Sequence, residues 1–187
     1  MVTNGLEAEL IRHCAPTLAG LKSAGLFRYF YQEKESVTRE VELVNRMLND
    51  RDVYIEVLAW QTQAVLIYAY RKTQLQKELN AEGVRYLLQE YGYHGCGVAE
   101  CIMHLKERLD EYVCFPHEIG VFLGYPLEDV LGFIQNRGKN CECCGIWKVY
   151  CDASEKQKTF CKLRKCTQVY AKLFSEGRSL LQMTVCV

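Results

Sequence analysis

The chain has 187 residues and no net charge, because 23 basic side chains balance 23 acidic ones. A chain of this length can bury a substantial core, and we expect a single domain over residues 1–187. The charge balance and the lack of a long basic run argue against nucleic-acid binding, which depends on phosphate neutralisation by Lys and Arg. A hydrophobic content of 49% with three prolines argues against disorder.

The N-terminal segment lacks an apolar stretch of signal-peptide length, and the longest apolar run, residues 64–70, is too short to span a bilayer. We therefore expect a soluble, cytoplasmic protein. Its 11 cysteines are many for that compartment. Without a secretory signal a disulfide framework is the weaker explanation. Most of the cysteines are interpreted as small buried side chains, and a minority as functional.

The first part of the chain is predicted to hold two short helices and a strand. Residues 4–13 read as a helix with apolar positions on one side. Pro16 suits the first turn of a second helix, which would run to about Ser23 and end at Gly25. Residues 26–31 are rich in aromatic side chains, which favours a strand.

Apolar residues recur at helical spacing over residues 37–48, which predicts a helix packed on a core. Two β-rich runs follow, residues 53–60 and 64–71, and a hairpin is the natural interpretation. The spacing over residues 75–91 predicts one or two helices, and the stripe over residues 98–112 predicts another.

Two prolines and two glycines delimit a pair of short helices in the next stretch. Pro116 opens one helix that ends at Gly124, and Pro126 precedes a second that ends at Gly138. Residues 146–150 alternate between apolar and polar side chains, as in a strand.

A long helix is predicted over residues 154–176, and the apolar tail at 180–187 has the character of an edge strand. The elements together indicate an α+β fold. We expect a small, mainly antiparallel sheet of about four strands, covered by six to eight helices.

Three segments resemble a known family: HCAPTLAGLKSAGLF at 13–27, FPHEIGVFLGYPLEDVLGFI at 115–134 and CCGIWKVY at 143–150. They are similar to the domain-of-unknown-function family thirty-seven ninety-three, which is found mainly in anaerobic Gram-positive bacteria. The resemblance implies no established activity. It implies a flavodoxin-like or iron-handling partner through gene neighbourhood alone. The matching positions are Cys14, Pro16, His117, Glu118, Gly124, Pro126, Cys144, Gly145, Trp147 and Tyr150.

The strongest chemical signal is a group of four thiols: Cys141, Cys143, Cys144 and Cys151. Cys141-x-x-Cys144-Gly145 has the spacing of a metal knuckle, with the glycine relieving a tight turn. A second C-x-x-C is missing, so the pattern is half of a zinc-ribbon signature. Zinc and an iron–sulfur species are the candidate cofactors, and Cys166 is a further candidate ligand. A cysteine-rich loop without metal is the alternative.

Other candidates are weaker. Cys14 would lie near the N-terminus of the helix opened by Pro16, where its pKa would be lowered and a nucleophilic or redox role favoured. A buried packing thiol is the alternative. His117 and Glu118 could form a metal-binding or acid–base pair, but capping of a helix is the simpler role.

Tyrosines and tryptophans are numerous enough to line a pocket for a flat ligand such as flavin or haem, although tyrosine on a half-buried sheet explains them equally well. Three functions stay open. The first is a cytosolic accessory protein of iron or thiol redox metabolism that binds metal through residues 141–151. The second is a thiol enzyme that uses Cys14. The third is a non-catalytic interaction domain with incidental cysteines.

Overall fold

The computed structural model describes residues 5–95, 97–111 and 115–186, apart from the side chain of Glu111. Three predicted elements extend beyond these residues: the helix at 4–13 by residue 4, the helix at 98–112 by Tyr112, and the tail at 180–187 by Val187. The described chain forms two compact units. One combines the chain up to Gln74 with the chain from Lys165 onward, and the other runs from Leu75 to Arg164.

Helices accompany two small antiparallel sheets in the described residues, so the predicted α+β class is confirmed. One sheet has three strands and the other has two. Because no described helix is long and apolar enough, the structure contains no candidate membrane span among these residues. The assignment of the whole chain to one domain stays a prediction.

The first unit is built on the three-stranded sheet, whose order is β1-β3-β2. Its elements are α1 (Leu6–Leu18), β1 (Ala24–Phe30), α2 (Lys34–Leu48), a 3₁₀ turn (Asn49–Arg51), β2 (Val53–Trp60), β3 (Ala64–Arg71), the start of α3 (Lys72–Leu79), the end of α8 (Ala153–Ser175) and α9 (Leu180–Met183).

The central strand β3 is buried along its whole length, whereas the edge strands β1 and β2 alternate between buried and more exposed positions. Val65, Ile67 and Ala69 of β3 belong to one core cluster with apolar residues of α1, α2 and α9. The predicted hairpin is confirmed, with a register shift between Val57 and Ala59 in β2. A stretch of β-branched and aromatic residues buried on both sides is the pattern expected of a central strand.

Helix α1 runs unbroken through Pro16, so the prediction of two separate helices is wrong. Because Pro16 lies in the last turn, its missing N–H costs only one backbone bond. The turn is closed by the Ala19 N–H, which donates to the Ala15 carbonyl, and by the Leu21 N–H, which donates to the Pro16 carbonyl. Proline is tolerated here because little helix follows it.

Gly25 lies inside β1 and does not end a helix. A Cβ at this position would come within 2.7 Å of the Cys14 Sγ, so the strand passes α1 too closely for a side chain. The predicted edge strand in the tail is also wrong. Ser179 and Gln182 form a reciprocal capping box, which starts the short helix α9.

The second unit is mainly helical. Its elements are the end of α3, α4 (Glu82–Glu90), α5 (Val98–Glu111), α6 (Ile119–Phe122), α7 (Leu127–Gln135), β4 (Cys143–Cys144), β5 (Lys148–Val149) and the start of α8. Of the strand predicted at 146–150, only the middle part, Lys148–Val149, is a strand in the structure. Cys143 pairs with Val149 and Cys144 with Lys148, so the CCGIWKV sequence forms a two-stranded hairpin.

Candidate functional site

The second unit contains a cavity of about 320 Å³ beside the β4–β5 hairpin. We call it the aromatic pocket. Its lining comes from the segment before α6, from α6 and α7, and from the hairpin. The lining residues are Phe115, Pro116, His117, Ile119, Gly120, Tyr125, Asp129, Val130, Phe133, Cys144, Gly145, Ile146, Trp147 and Lys148. Most of these side chains are apolar or aromatic.

Trp147 is the wall residue whose orientation is fixed most fully. Its indole Nε1 donates a hydrogen bond to Asp129 Oδ2 at 2.7 Å. Its ring stacks on Tyr125, with ring centroids 5.0 Å apart, and meets the Phe160 ring edge-on at 4.5 Å. A ring held by a hydrogen bond and two aromatic contacts loses little further freedom when a ligand binds.

Asp129 is a buried carboxylate that ties α7 to the hairpin. Besides the bond from Trp147, its Oδ1 accepts a hydrogen bond from the backbone N–H of Tyr150 at 2.8 Å. Both oxygens therefore have donors within the protein. From the sequence Asp129 reads only as an acidic residue in the first turn of a helix, which complements the dipole. Its role as the anchor of Trp147 depends on residues 18 and 21 positions away.

Three glycines allow close contacts around the pocket. A Cβ on Gly145 would lie 2.2 Å from the Phe160 ring, and one on Gly132 would lie 2.4 Å from the Tyr150 ring. A Cβ on Gly120 would lie 2.7 Å from Val130. Gly145 therefore allows close packing against Phe160 of α8, and its role in a tight turn at a metal knuckle stays a prediction.

His117 and Glu118 have different surroundings. His117 lines the aromatic pocket and meets the Phe133 ring at a steep angle, with centroids 5.1 Å apart. Glu118 is fully buried, and its Oε1 accepts hydrogen bonds from Arg108 Nε at 2.5 Å and from the Tyr93 hydroxyl at 3.1 Å. Its side chain makes no capping bond. Burial and Glu118 together raise the pKa of Tyr93. A joint metal-binding or acid–base role for the pair stays a prediction.

A comparison with known families gives one match. The model of DUF3793, described as a protein of unknown function, matches residues 10–184. The chain belongs to the DUF3793 family. The predicted family is thereby confirmed. No curated protein and no solved structure matches the chain significantly.

In this DUF3793 protein the four clustered thiols lie on and around the hairpin. Cys144 is exposed and lines the aromatic pocket, whereas Cys141, Cys143 and Cys151 are partly buried. Burial raises the pKa of Tyr150, and the nearby thiols of Cys141 and Cys144 add to this effect. Within the part of the chain that the structure describes, no three His, Cys, Asp or Glu side chains are grouped closely enough for a shared metal ion.

Two predicted site cysteines belong to the first unit. Cys14 lies well inside α1 and not at a helix N-terminus, so the expected lowering of its pKa is wrong. It is fully buried, and this burial raises its pKa to about 12, against a small opposing effect of Lys22. Cys166 lies on α8 and is partly buried, which also raises its pKa. Their roles as nucleophile and metal ligand stay predictions.

Proposed function

We propose that this DUF3793 protein binds a small, planar, mainly apolar molecule in the aromatic pocket. The observation that carries the proposal is the set of aromatic walls formed by Tyr125, Phe133 and Trp147 around a cavity of about 320 Å³. Concave, mostly apolar cavities of roughly 300–1,000 Å³ with a few polar groups are typical of small-molecule sites. Flat rings suit a flat ligand because stacked and edge-on aromatic pairs are favourable beyond the area they bury.

The walls are also held in place without a ligand. Asp129 orients Trp147, and the missing side chains of Gly132 and Gly145 let Tyr150 and Phe160 pack directly behind the site. Binding to a preformed pocket avoids the entropic cost of ordering its side chains. This arrangement favours a binding site over an incidental gap in the packing.

The two tryptophans provide a direct test, because Trp147 lines the pocket and Trp60 lies in the first unit. The protein is labelled with isotopic tryptophan and titrated with β-naphthamide, a neutral planar probe, while both indole N–H resonances are followed by NMR. We expect a saturable shift of the Trp147 resonance and none of the Trp60 resonance. No shift of Trp147 at the solubility limit of the probe contradicts the proposal.

A matched pair of variants refines this test. Phe133→Ala removes one wall of the pocket, and we expect it to weaken β-naphthamide binding by about tenfold, the loss of a single aromatic contact and its buried area. Phe30→Ala removes a phenyl ring that is 61% exposed in the first unit, and it serves as the control. Equal affinities of the two variants would contradict a site at Phe133.

A second proposal keeps the thiols as the functional groups. Cys141 and Cys144 both lie near Tyr150, whose buried hydroxyl has no hydrogen-bond partner in the described structure. We propose that these thiols bind zinc or an iron–sulfur species, in an accessory protein that transfers metal or electrons to an iron-handling or flavodoxin-like partner. Anaerobic purification with metal analysis tests it. Loss of metal in Cys144→Ser but not in Cys161→Ser supports the site, and a metal-free wild-type protein contradicts it.

The thiol-enzyme hypothesis is tested by the rate at which Cys14 is alkylated in the folded protein. A catalytic Cys14 would be alkylated rapidly below pH 7 in the folded protein, because only a thiolate reacts quickly. The structure gives the opposite environment, a fully buried thiol with a raised pKa. Slow alkylation of Cys14 would contradict the enzyme hypothesis. If all the thiols are alkylated slowly, and the protein binds neither metal nor probe, the result supports the third hypothesis, a non-catalytic interaction domain.

A further inference from the structure

The polar groups around the aromatic pocket are predominantly donors. Among the described residues Asp129 is the one acidic residue of the lining, and its oxygens accept one hydrogen bond from Trp147 and one from Tyr150. The other polar side chains of this lining belong to His117, Tyr125, Cys144, Trp147 and Lys148, each of which can donate a hydrogen bond. A ligand that enters the pocket therefore meets a positive group and several hydrogen-bond donors, and the one carboxylate of the described lining already accepts bonds from the protein.

Lys148 is the charged member of this set. It is partly buried, its Nζ donates to the carbonyl of Gly138 at 2.6 Å, and it lies 5.8 Å from the centre of the Phe133 ring. No carboxylate of the described residues lies within 4.0 Å of this nitrogen. An ammonium group has three N–H donors, so two remain after the bond to Gly138.

We infer that the natural ligand is an aromatic acid. Its ring lies against Phe133, Tyr125 and Trp147, and its carboxylate accepts hydrogen bonds from Lys148. This inference rests on the proposed function and adds the chemical class of the ligand. A partly buried cation without an acidic partner is costly, and an anionic ligand would supply that partner.

A cationic aromatic ligand fits this pocket poorly. The face of Phe133 that would attract a cation is already approached by the ammonium of Lys148. The carboxylate of Asp129 is buried and already accepts hydrogen bonds from Trp147 and Tyr150, so it attracts a cation less than an unpaired carboxylate would. A neutral aromatic ligand would bury Lys148 further without neutralising it.

The test compares two probes of nearly equal shape, β-naphthoate and β-naphthamide, on the full-length protein at pH 7. The first carries a carboxylate and the second a neutral amide. We expect the naphthoate to bind about tenfold more tightly at low salt, because a hydrogen bond to a charged group is worth more than a neutral one. This preference is expected to shrink in high salt, which screens a partly exposed ion pair.

Variants at Lys148 assign the preference to that residue. Lys148→Met keeps the apolar stem and should bind both probes equally, whereas Lys148→Arg should retain the preference. Lys158→Met removes a charge from an ion pair on α8 whose lysine is 71% exposed, and it controls for net charge. If Lys148→Met does not fold, the salt dependence on the unaltered protein and the Lys148→Arg result decide.

The outcomes separate the two proposals. If neither probe shifts the Trp147 resonance, the proposed function fails and the inference fails with it. If both probes bind with equal affinity, or if Lys148→Met keeps the preference for naphthoate, the inference fails and the binding function stands. Tighter binding of naphthoate that depends on Lys148 supports both.

Discussion

The two units use their buried charges in different ways. In the first unit Arg71 is fully buried, and within the part of the chain that the structure describes its guanidinium donates to four backbone carbonyls. Its bonds to Thr17 and Leu18 are 2.6 Å long, and those to Arg51 and Val185 are 3.2 Å and 2.9 Å long. In this way a single guanidinium joins the end of α1, the 3₁₀ turn and the C-terminal segment.

Among the described residues of the second unit the buried charges are Glu118 and Asp129, and Asp129 orients the side chain of Trp147 beside a cavity. Arg71 joins segments of its own unit, whereas Asp129 orients a side chain that lines a cavity. The comparison teaches that a buried charge indicates a functional region when it orients a side chain that lines a cavity, and not when it only joins backbone segments. By this criterion the search for function belongs in the second unit.

The largest expected effect concerns Arg71. Arg71→Met removes four hydrogen bonds from a charged donor to backbone carbonyls, and we expect the free energy of unfolding to fall by about 3–5 kcal/mol. Urea denaturation followed by circular dichroism measures it. Arg12→Met is the control, because the Arg12 side chain is 71% exposed and should change stability by less than about 0.5 kcal/mol. A similar small loss for both variants would show that Arg71 does not hold the first unit together.

Asp129 comes next. Asp129→Ala leaves the indole of Trp147 and the N–H of Tyr150 without an acceptor, and we expect a loss of about 2–4 kcal/mol. The indole N–H resonance of Trp147 should move while that of Trp60 stays. Asp110→Ala, at an exposed position on α5, is the control for loss of a carboxylate. An unchanged Trp147 resonance in Asp129→Ala would contradict the anchoring role.

A smaller effect is expected at Gly145. Gly145→Ala places a methyl group against the Phe160 ring, at an initial separation of 2.2 Å, and overpacking of this kind costs about 1–3 kcal/mol. Thermal unfolding measures the loss, which Phe160→Leu in the same chain should partly restore. Gly5→Ala is the control, because nothing lies within 4 Å of its added methyl. Equal stability of the two alanine variants would mean that the hairpin shifts freely away from α8.

The smallest effect is a pH dependence in the first unit. The pKa of Cys14 is raised by burial to about 12 from an ordinary value of 9.0, so in alkaline solution the unfolded chain loses this proton before the folded chain does. Stability must therefore fall as pH rises through 9, by about 1 kcal/mol between pH 9 and 10 from this group. The slope should be shallower by that amount in Cys14→Ala. Identical slopes for the two proteins would show that Cys14 ionises normally in the fold.

Local patterns predicted the architecture well. The bounds of the hairpin at 53–60 and 64–71 follow from two runs of β-forming residues, and the long helix at 153–175 follows from its apolar stripe. The prediction at Pro16 was wrong because proline is tolerated in the last turn of a helix as well as in the first, and the sequence alone does not distinguish the two positions. The tail was misjudged because apolar β-formers outweighed the Ser179 and Gln182 capping signal.

The candidate site was less accessible from the sequence. The motifs at 115–134 and 143–150 were singled out, and their residues do line one cavity. Their shared purpose depends on contacts between positions far apart in the chain, such as Asp129 with Trp147 and Gly145 with Phe160. The C-x-x-C spacing predicted a site at the thiols, whereas the aromatic residues of the pocket follow no fixed spacing from which a pocket could be predicted.

The most direct measurement is a set of intermolecular nuclear Overhauser effects between bound β-naphthoate and methyl groups of the protein. The account predicts contacts with Ile119, Val130 and Ile146, which line the aromatic pocket, and none with Ile55 or Val65 in the core of the first unit. Contacts with methyl groups of the first unit, or no contacts at saturating probe, would contradict the claim that the aromatic pocket is the binding site.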